Sequence, residues 1–265
     1  MLSCFMPKTS LAFRTGSSII ESLAKLKGYY FLFYDAVKSL GMLKNAPVRE
    51  VFYRQVYFSG IEAVGTVAVR GTLIGIVIIT QVTAIVGMNA VLTGKILVWT
   101  VVRELGPLFA AIIIIARSST AVAAELGSMN ISGEVDHLRV MGISPLGYLI
   151  VPRVFGITLC VFILTFLFQI VTVAGGLLAS SLILDIPFGH HLAGVTSALN
   201  LYELGVSLLK SVVFGLIIST VSCYHGLKVR SSITEIPQAT TAAVMQSLLH
   251  VLVWDGIITF TTSQV

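Results

Sequence analysis

The sequence predicts an all-α integral membrane protein with an N-terminal interfacial helix, five transmembrane helices and a short cytosolic helix. Of its 265 residues, 56% are apolar and 11% are charged, whereas an average soluble domain carries roughly 25% charged residues. So few charges cannot cover the surface of a water-soluble globule, and the mean hydropathy of +0.96 points the same way. The abundance of Ile, Val, Leu and Phe excludes a disordered chain. We expect a basic amphipathic segment over residues 1–54 and a transmembrane domain over residues 55–265.

The N-terminal segment is the basic part of the chain. Residues 1–54 hold eight Lys and Arg against three Asp and Glu, while residues 55–265 hold nine of each kind. Apolar side chains recur at helical spacing, for example at Ile19, Leu23, Leu26, Tyr30 and Phe33. This pattern is typical of a helix lying in the membrane interface, where the basic charge suits anionic headgroups rather than nucleic acid. A soluble amphipathic helix packed on a partner is the alternative.

Five later stretches meet the length of about 20 apolar residues that a membrane span requires. They cover residues 61–86, 105–124, 154–184, 204–223 and 240–260. The third stretch, at about 31 residues, would form a helix of about 46 Å, longer than the roughly 30 Å hydrocarbon core. We expect it to tilt, to bend near Gly175-Gly176, or to project into the aqueous phase.

The distribution of Lys and Arg between the spans predicts their orientation. With the N-terminus in the cytosol, the cytosolic parts hold eight, two and two basic residues, and the outer parts hold two, none and none. Because positive charge favours the cytosolic side, we expect a cytosolic N-terminus and, after five spans, a C-terminus on the outer side.

The chain lacks the motifs of catalysis. It has no G-x-x-x-x-G-K-[ST] phosphate loop and no G-x-S-x-G nucleophile elbow, so it should not hydrolyse ATP itself. Its five histidines are scattered without metal-ligand spacing, and its three cysteines suggest free thiols. We therefore expect neither an enzyme nor a metal site.

Several ionisable residues interrupt the predicted spans. Because charges inside a membrane are costly, these residues are candidates for function, although some could snorkel to the headgroups. They are Glu62, Arg70, Arg117, Lys210 and Asp255, with Arg103-Glu104 at the entrance of the second span. Together they predict a polar cavity on the outer half of the bundle. Gly106-Pro107 should break or redirect the helix, which would place the charged pair at a bend.

The cytosolic connection over residues 125–153 predicts a short capped helix at about 132–141. Ser132 is the expected N-cap and Gly142 the expected C-terminal stop. Glu134 and Asp136 occupy the first turn and Arg139 the last, as the helix dipole favours. Its apolar residues, Val135, Leu138 and Met141, could dock on a partner that transmits motion; an ordinary loop helix covering the bundle is the alternative.

Several short blocks of residues follow one another along the chain and together form a recognisable pattern. They are Arg103-Glu104-Leu105-Gly106-Pro107, Ala123-Ala124-Glu125-Leu126-Gly127-Ser128-Met129, Val140-Met141-Gly142-Ile143-Ser144-Pro145 and Val151-Pro152-Arg153. Lys210-Ser211-Val212-Val213-Phe214, Ala239-Thr240-Thr241 and Asp255 follow them. Over about residues 45–262 these blocks resemble the MlaE-type permease family, the membrane subunits of ABC lipid transporters that maintain outer-membrane asymmetry.

The resemblance implies a non-catalytic permease in the inner membrane that moves phospholipid between the inner and outer membranes. It implies a homodimer, a separate cytosolic ATPase that binds the ATP and Mg²⁺, and a periplasmic MCE-domain protein. The family's polar residues around the lipid cavity match Arg103, Glu104, Lys210 and Asp255. Lys210 and Arg103 could anchor the headgroup, while Leu73 and Val77 could supply the apolar lining; structural salt bridges are the alternative.

The family's coupling helix, which sits on the ATPase, matches the segment that contains Glu134, Asp136, Leu138, Arg139 and Met141. The chain departs from the family pattern in two places. It has Gln238 where the family often has Arg, and its coupling segment around Ser132-Gly133 differs from the family's basic residue followed by Thr-Glu-Gln. A secondary transporter and an intramembrane enzyme are the competing interpretations. The first lacks a clear internal repeat, and the second lacks a nucleophile–base pair.

Overall fold

The computed structural model describes residues 27–87, 89–183, 188–230 and 232–263. It confirms the predicted fold class, because every regular element in these ranges is a helix and five of them are long and apolar enough to cross a membrane. Residues 1–26 of the predicted interfacial segment lie outside the described residues.

The five spans are longer than the predicted apolar stretches. They are Ala46–Val86, Leu92–Ile131, Leu146–Leu182, Leu201–Lys228 and Ile233–Ser263, named here the first to the fifth span. π-Helical segments interrupt the α-helical geometry at Tyr57–Ile61 in the first span and at Val98–Leu105 and Ile115–Ser119 in the second, and another, Leu146–Ile150, opens the third span.

Shorter helices join the spans. Residues 27–38 are helical, and a 3₁₀ turn, Leu40–Lys44, leads into the first span. Ala90–Leu97 is the first α-helical part of the second span's helix, and another 3₁₀ turn, Ile233–Glu235, opens the fifth span. Two separate helices complete the fold: the connecting helix, Glu134–Val140, and the rim helix, Phe188–Ala198.

The spans cross between two ends of the bundle. The connecting helix lies at one end, here the Glu134 end, together with the last residues of the second and fourth spans. At the opposite end, here the Arg103 end, the rim helix packs on Ala90–Leu97. This contact is so close that a side chain on Gly94 would collide with the backbone of Gly194.

The prediction that the second span begins at Leu105 is wrong, and the helix does not break at Gly106-Pro107. The helix already begins at Ala90 and continues through the proline. The N–H of Gly106 donates to the carbonyl of Val101, which gives the wider turn of a π-helix, and Pro107 stands in the first turn of the next α-helical segment. A proline is tolerated at the start of a helical segment, because its missing N–H is not needed there.

The third span is a continuous α-helix from Val151 to Ile183, and it does not break at Gly175-Gly176. These glycines instead allow the first span to approach closely. A Cβ on Gly75 would collide with the carbonyl oxygen of Thr172, and one on Gly175 would press on Thr72. Small residues that permit backbone contact are typical of helix pairs in membranes.

The second, third and fourth spans lie at the centre of the bundle, while the first and fifth spans lie at its periphery. Only 28% and 22% of the apolar windows of the first and fifth spans are buried, against 61%, 56% and 56% in the second, third and fourth. The first span packs mainly on the third, and the fifth packs on the second and fourth. Broad apolar faces of the two peripheral spans therefore remain uncovered within this chain.

The helix over residues 27–38 is tied to the fourth span through Tyr29. The hydroxyl of Tyr29 and Nε2 of His225 are 3.1 Å apart, and the Tyr29 ring meets the Tyr224 ring edge-on. Burial, with a smaller contribution from Tyr224, raises the pKa of Tyr29 to about 12. Its hydroxyl therefore stays protonated at physiological pH. Tyr30, Phe31 and Tyr34 on the same helix are exposed, as in the aromatic belts of membrane interfaces.

Candidate functional site

A cluster of charged side chains lies between the second, fourth and fifth spans. Lys210 is fully buried, and its Nζ lies 2.6 Å from Oε2 of Glu104 and 2.9 Å from Oδ1 of Asp255. The same ammonium donates to Oγ1 of Thr259 at 2.7 Å, and the Thr259 hydroxyl donates to Glu104 at 3.0 Å. One cation thus joins three helices through two carboxylates and a hydroxyl.

Arg103 extends this cluster toward the Arg103 end. Its guanidinium donates to Oγ1 of Thr262 at 2.9 Å and to Oε1 of Glu203 at 3.4 Å, and its Nε lies 3.5 Å from Glu104. Glu203 stands in the first turn of the fourth span. With Glu203 included, three carboxylates face two cations. The cluster carries a net charge of −1 when all five groups are ionised.

The structure therefore brings together the four residues that the sequence predicted for the lipid cavity. Both cations among them, however, form ion pairs with carboxylates of the same chain. Lys210 is 0% exposed and Arg103 is 6% exposed. Neither presents a free charge on the surface of the chain. This geometry matches the structural salt bridges that were the alternative to a headgroup anchor. Buried charges are tolerated when each has a partner of opposite sign.

A buried amide from the third span stabilises the π-helical turn that carries Arg103 and Glu104. Because Gly106 donates to Val101, the carbonyl of Val102 lacks its usual partner within the helix. Nε2 of Gln169 donates to that carbonyl at 2.9 Å and to Oγ of Ser207 at 2.6 Å. Gln169 thus holds the charged turn against the third and fourth spans.

Leu73 and Val77 lie on a different surface from the charged cluster. Each is 59% exposed on the first span, and Arg70 precedes them on the same helix face. Since the first span packs mainly on the third, the predicted lining residues are exposed on the outside of a single chain.

A second polar region lies in the half of the bundle near the Glu134 end. It is a cavity of about 430 Å³ between the first, second and third spans. Within it, Arg117 donates to Oε2 of Glu62 at 2.7 Å and to the Glu62 carbonyl at 2.8 Å. Arg153, almost fully buried, lies 2.9 Å from Glu125. The span residues Glu62 and Arg117 therefore pair with each other.

The connecting helix is shorter than predicted and is capped differently. Ser132 ends the second span instead of capping the next helix: its hydroxyl lies within hydrogen-bond distance of two acceptors, the Met129 carbonyl at 3.2 Å and Oε1 of Glu134 at 3.0 Å. Gly133, at φ +79°, makes the reversal, because glycine enters the left-handed region without a steric cost.

The predicted stop at Gly142 is confirmed. Gly142 has φ +74°, and its N–H donates to the carbonyl of Arg139 at 3.0 Å. The next N–H, from Ile143, donates to the carbonyl of Leu138 at 2.9 Å. These two bonds form a Schellman motif, which satisfies the last carbonyls of a helix.

The predicted docking residues divide between two faces of the connecting helix. Val135 is buried and Leu138 is partly buried, and both pack on the core of this chain. Met141 is 64% exposed, and Val140, which was not assigned a role from the sequence, is 86% exposed. Asp136 and Arg139 form an exposed ion pair of 2.9 Å, and Glu134 is also exposed. The outward apolar surface therefore consists of Val140 and Met141.

Comparison with known proteins supports one family. The family model described as "Permease MlaE" matches residues 52–261. A probable ABC transporter permease protein of Synechocystis is 33% identical over 81% of this chain and 82% of its own length. A probable ABC transporter permease protein of Rickettsia typhi is 29% identical over 89% of this chain and 92% of its own length.

A chloroplast protein of Arabidopsis thaliana, named TRIGALACTOSYLDIACYLGLYCEROL 1, is 31% identical over 77% of this chain. This chain covers 59% of that relative's length, which is less than two thirds.

Proposed function

Since the chain belongs to the MlaE permease family, as an ABC transporter permease, we propose that it moves phospholipid between the inner and outer membranes. The observation that carries this proposal is the family match over residues 52–261, which includes residues of all five spans. The plant relative, whose name is that of a glycolipid, supports a lipid as cargo.

The energy for transport comes from a separate ATPase subunit, since the sequence has no phosphate loop of its own. The ATPase contacts the connecting helix at the Glu134 end. Exposed Val140 and Met141 support this contact, because apolar side chains at the end of a short capped helix suit a partner's groove. The exposed charges of Glu134, Asp136 and Arg139 surround this apolar surface.

The lipid site lies between two copies of the chain, in an outward-facing cavity. The uncovered apolar faces of the first and fifth spans support a homodimer, and Leu73 and Val77 supply the surface for acyl chains. Arg103, Glu104, Lys210 and Asp255 border this cavity and hold three spans in place beside it. A periplasmic MCE-domain protein receives the lipid at the Arg103 end. The N-terminus lies in the cytosol and the C-terminus in the periplasm of an inner-membrane protein.

A reconstituted transfer assay tests this function. The chain is purified with its ATPase, placed in liposomes that contain a fluorescent phospholipid, and supplied with a periplasmic lipid acceptor. We expect transfer to require ATP and to stop when the phosphate-loop lysine of the ATPase is replaced by alanine. An assembled complex that hydrolyses ATP without any lipid transfer would refute the proposal.

A further inference from the structure

Arg70 differs from the arginines of the second and third spans. Arg103, Arg117 and Arg153 each form an ion pair with a glutamate. Arg70 is exposed, and no carboxylate of the described ranges lies within 4.0 Å of its guanidinium. No hydrogen bond joins its side chain to any described residue either.

The contacts of the neighbouring glycine show where Arg70 lies along the axis of the bundle. Gly71 faces Phe168 and Thr172 of the third span, and Gly106 of the second span faces Gln169. Arg70 therefore lies at about the depth of Arg103-Glu104, and about 12 Å along the helix from Glu62. An unpaired guanidinium at this depth is costly in hydrocarbon, so it requires an anion or a water-filled cavity beside it.

The described carboxylates do not supply that anion. Those in the half near the Arg103 end, Glu104, Glu203 and Asp255, lie within 3.5 Å of Arg103 or Lys210. The other described carboxylates belong to helices or helix ends nearer the Glu134 end: Asp35, Glu50, Glu62, Glu125, Glu134, Asp136 and Glu235. A two-fold dimer in a membrane presents the same residues at the same depth, so the described part of a second copy offers at this depth only carboxylates that already have partners.

Arg70 also begins an apolar stripe on the first span. Leu73 and Val77 follow it at positions i+3 and i+7, and both are 59% exposed. A guanidinium beside an apolar stripe matches a molecule with an anionic group next to hydrocarbon chains. Arginine binds phosphate through two parallel N–H···O bonds, which makes it suited to a phospholipid headgroup.

From this juxtaposition we infer that Arg70 binds the headgroup phosphate of the transported lipid, whose acyl chains lie along Leu73 and Val77. The permease then selects anionic phospholipids over neutral glycolipids. This inference rests on the proposed function, and it names the substrate class of the same cavity.

A lipid-retention experiment with the full-length chain tests the inference without the ATPase. Nanodiscs contain equal amounts of phosphatidylglycerol and neutral digalactosyldiacylglycerol, and mass spectrometry measures which lipid stays bound after transfer to detergent. We expect a preference for phosphatidylglycerol that falls about tenfold in Arg70→Gln, the change expected when one charge-assisted bond is lost. Arg70→Lys should keep most of the preference. The matched control Arg49→Gln, an exposed arginine near the start of the same span, should behave like the wild type.

Two results would overturn this inference. One is an unchanged preference for phosphatidylglycerol in Arg70→Gln. The other is a loss of the preference that accompanies a shift from dimer to monomer, which would assign Arg70 to the contact between copies. The reconstituted assay measures ATP-driven phospholipid transfer by the wild-type chain, so its failure would contradict the proposed function, whereas an unchanged lipid preference in Arg70→Gln would contradict only this inference.

Discussion

Replacing Lys210 with methionine should strongly destabilise the bundle, because Glu104 and Asp255 would lose the cation that they share. Nζ of Lys210 lies 2.6 Å from one carboxylate and 2.9 Å from the other, and the lysine is 0% exposed. Methionine retains most of the buried volume and removes the charge together with its hydrogen bonds to Glu104 and Thr259. The variant therefore isolates the electrostatic role of the lysine from its packing.

The expected loss is roughly 3–5 kcal/mol in the free energy of unfolding, the cost of removing one partner from a buried ion pair. Two negative charges left near one another in a low dielectric add repulsion to the lost attraction. Removing all three charges together, in Lys210→Met with Glu104→Gln and Asp255→Asn, should cost much less. A buried ion cluster replaced as a whole is often close to neutral in stability.

Titration with SDS in detergent micelles, followed by far-UV circular dichroism, measures these differences. Lys95→Met is a suitable control, since Lys95 is exposed and its replacement should change stability by no more than about 0.5 kcal/mol. A loss below about 1 kcal/mol in Lys210→Met, or an equal loss in the triple variant, would show that the cluster does not hold the three spans together.

Three further predictions concern orientation, coupling and packing. A reporter active only in the periplasm should be active at the C-terminus and silent after Arg230; the reverse pattern would contradict the orientation. Met141→Asp should lower ATP-driven transport while leaving the melting temperature unchanged, whereas Leu138→Asp should unfold the protein because Leu138 packs on its own core; equal melting temperatures would refute this division. Gly75→Val should cost about 1–3 kcal/mol through collision with the third span, and Gly65→Val, with open space around it, should cost little in the same SDS titration.

Hydropathy predicted the number of spans but not their ends. The apolar stretch predicted at 61–86 is part of a helix that extends from Ala46 to Val86. Membrane length limits only the residues in hydrocarbon, and a helix can continue into water without an apolar sequence. The start of the second span was missed for a related reason, since Gly94 and Lys95 interrupt its hydropathy although the rim helix covers this turn.

The sequence predicted which residues form most of the charged cluster, but it did not predict their role. Charges inside a span need partners, so Lys210 and Asp255 could be expected to meet. Glu203 was missed because it was assigned to an outer loop, although an acidic residue shortly after Asn200 is typical of a helix start. Gln169 was missed because a neutral amide within an apolar stretch carries no charge that would require a partner. Whether a cation can bind a ligand depends on how far its side chain is buried, and the periodicity of the sequence alone does not show this.

The sequence predicted one end of the connecting helix correctly and the other end wrongly. Its C-terminal stop at Gly142 was predictable because only glycine enters the left-handed region at no steric cost. Gly133 offered the same signal at the other end, but Ser132 was chosen as the cap by side-chain preference alone. The outward direction of Val140 depends on how the helix packs on the bundle, which sequence spacing does not specify.

The glycine-lined contact between the first and third spans has a consequence for biosynthesis. The ribosome delivers the N-terminal part of a chain first, and the third span begins about 60 residues after the first span ends. The first span therefore enters the bilayer before its packing surface exists, with its backbone satisfied only by its own helical hydrogen bonds. Until the third span, with Thr172 and Gly176, has been synthesised and inserted, the groove at Gly71 and Gly75 faces lipid. Newly made chains thus pass through a state in which an inserted but undocked helix is open to membrane chaperones and proteases.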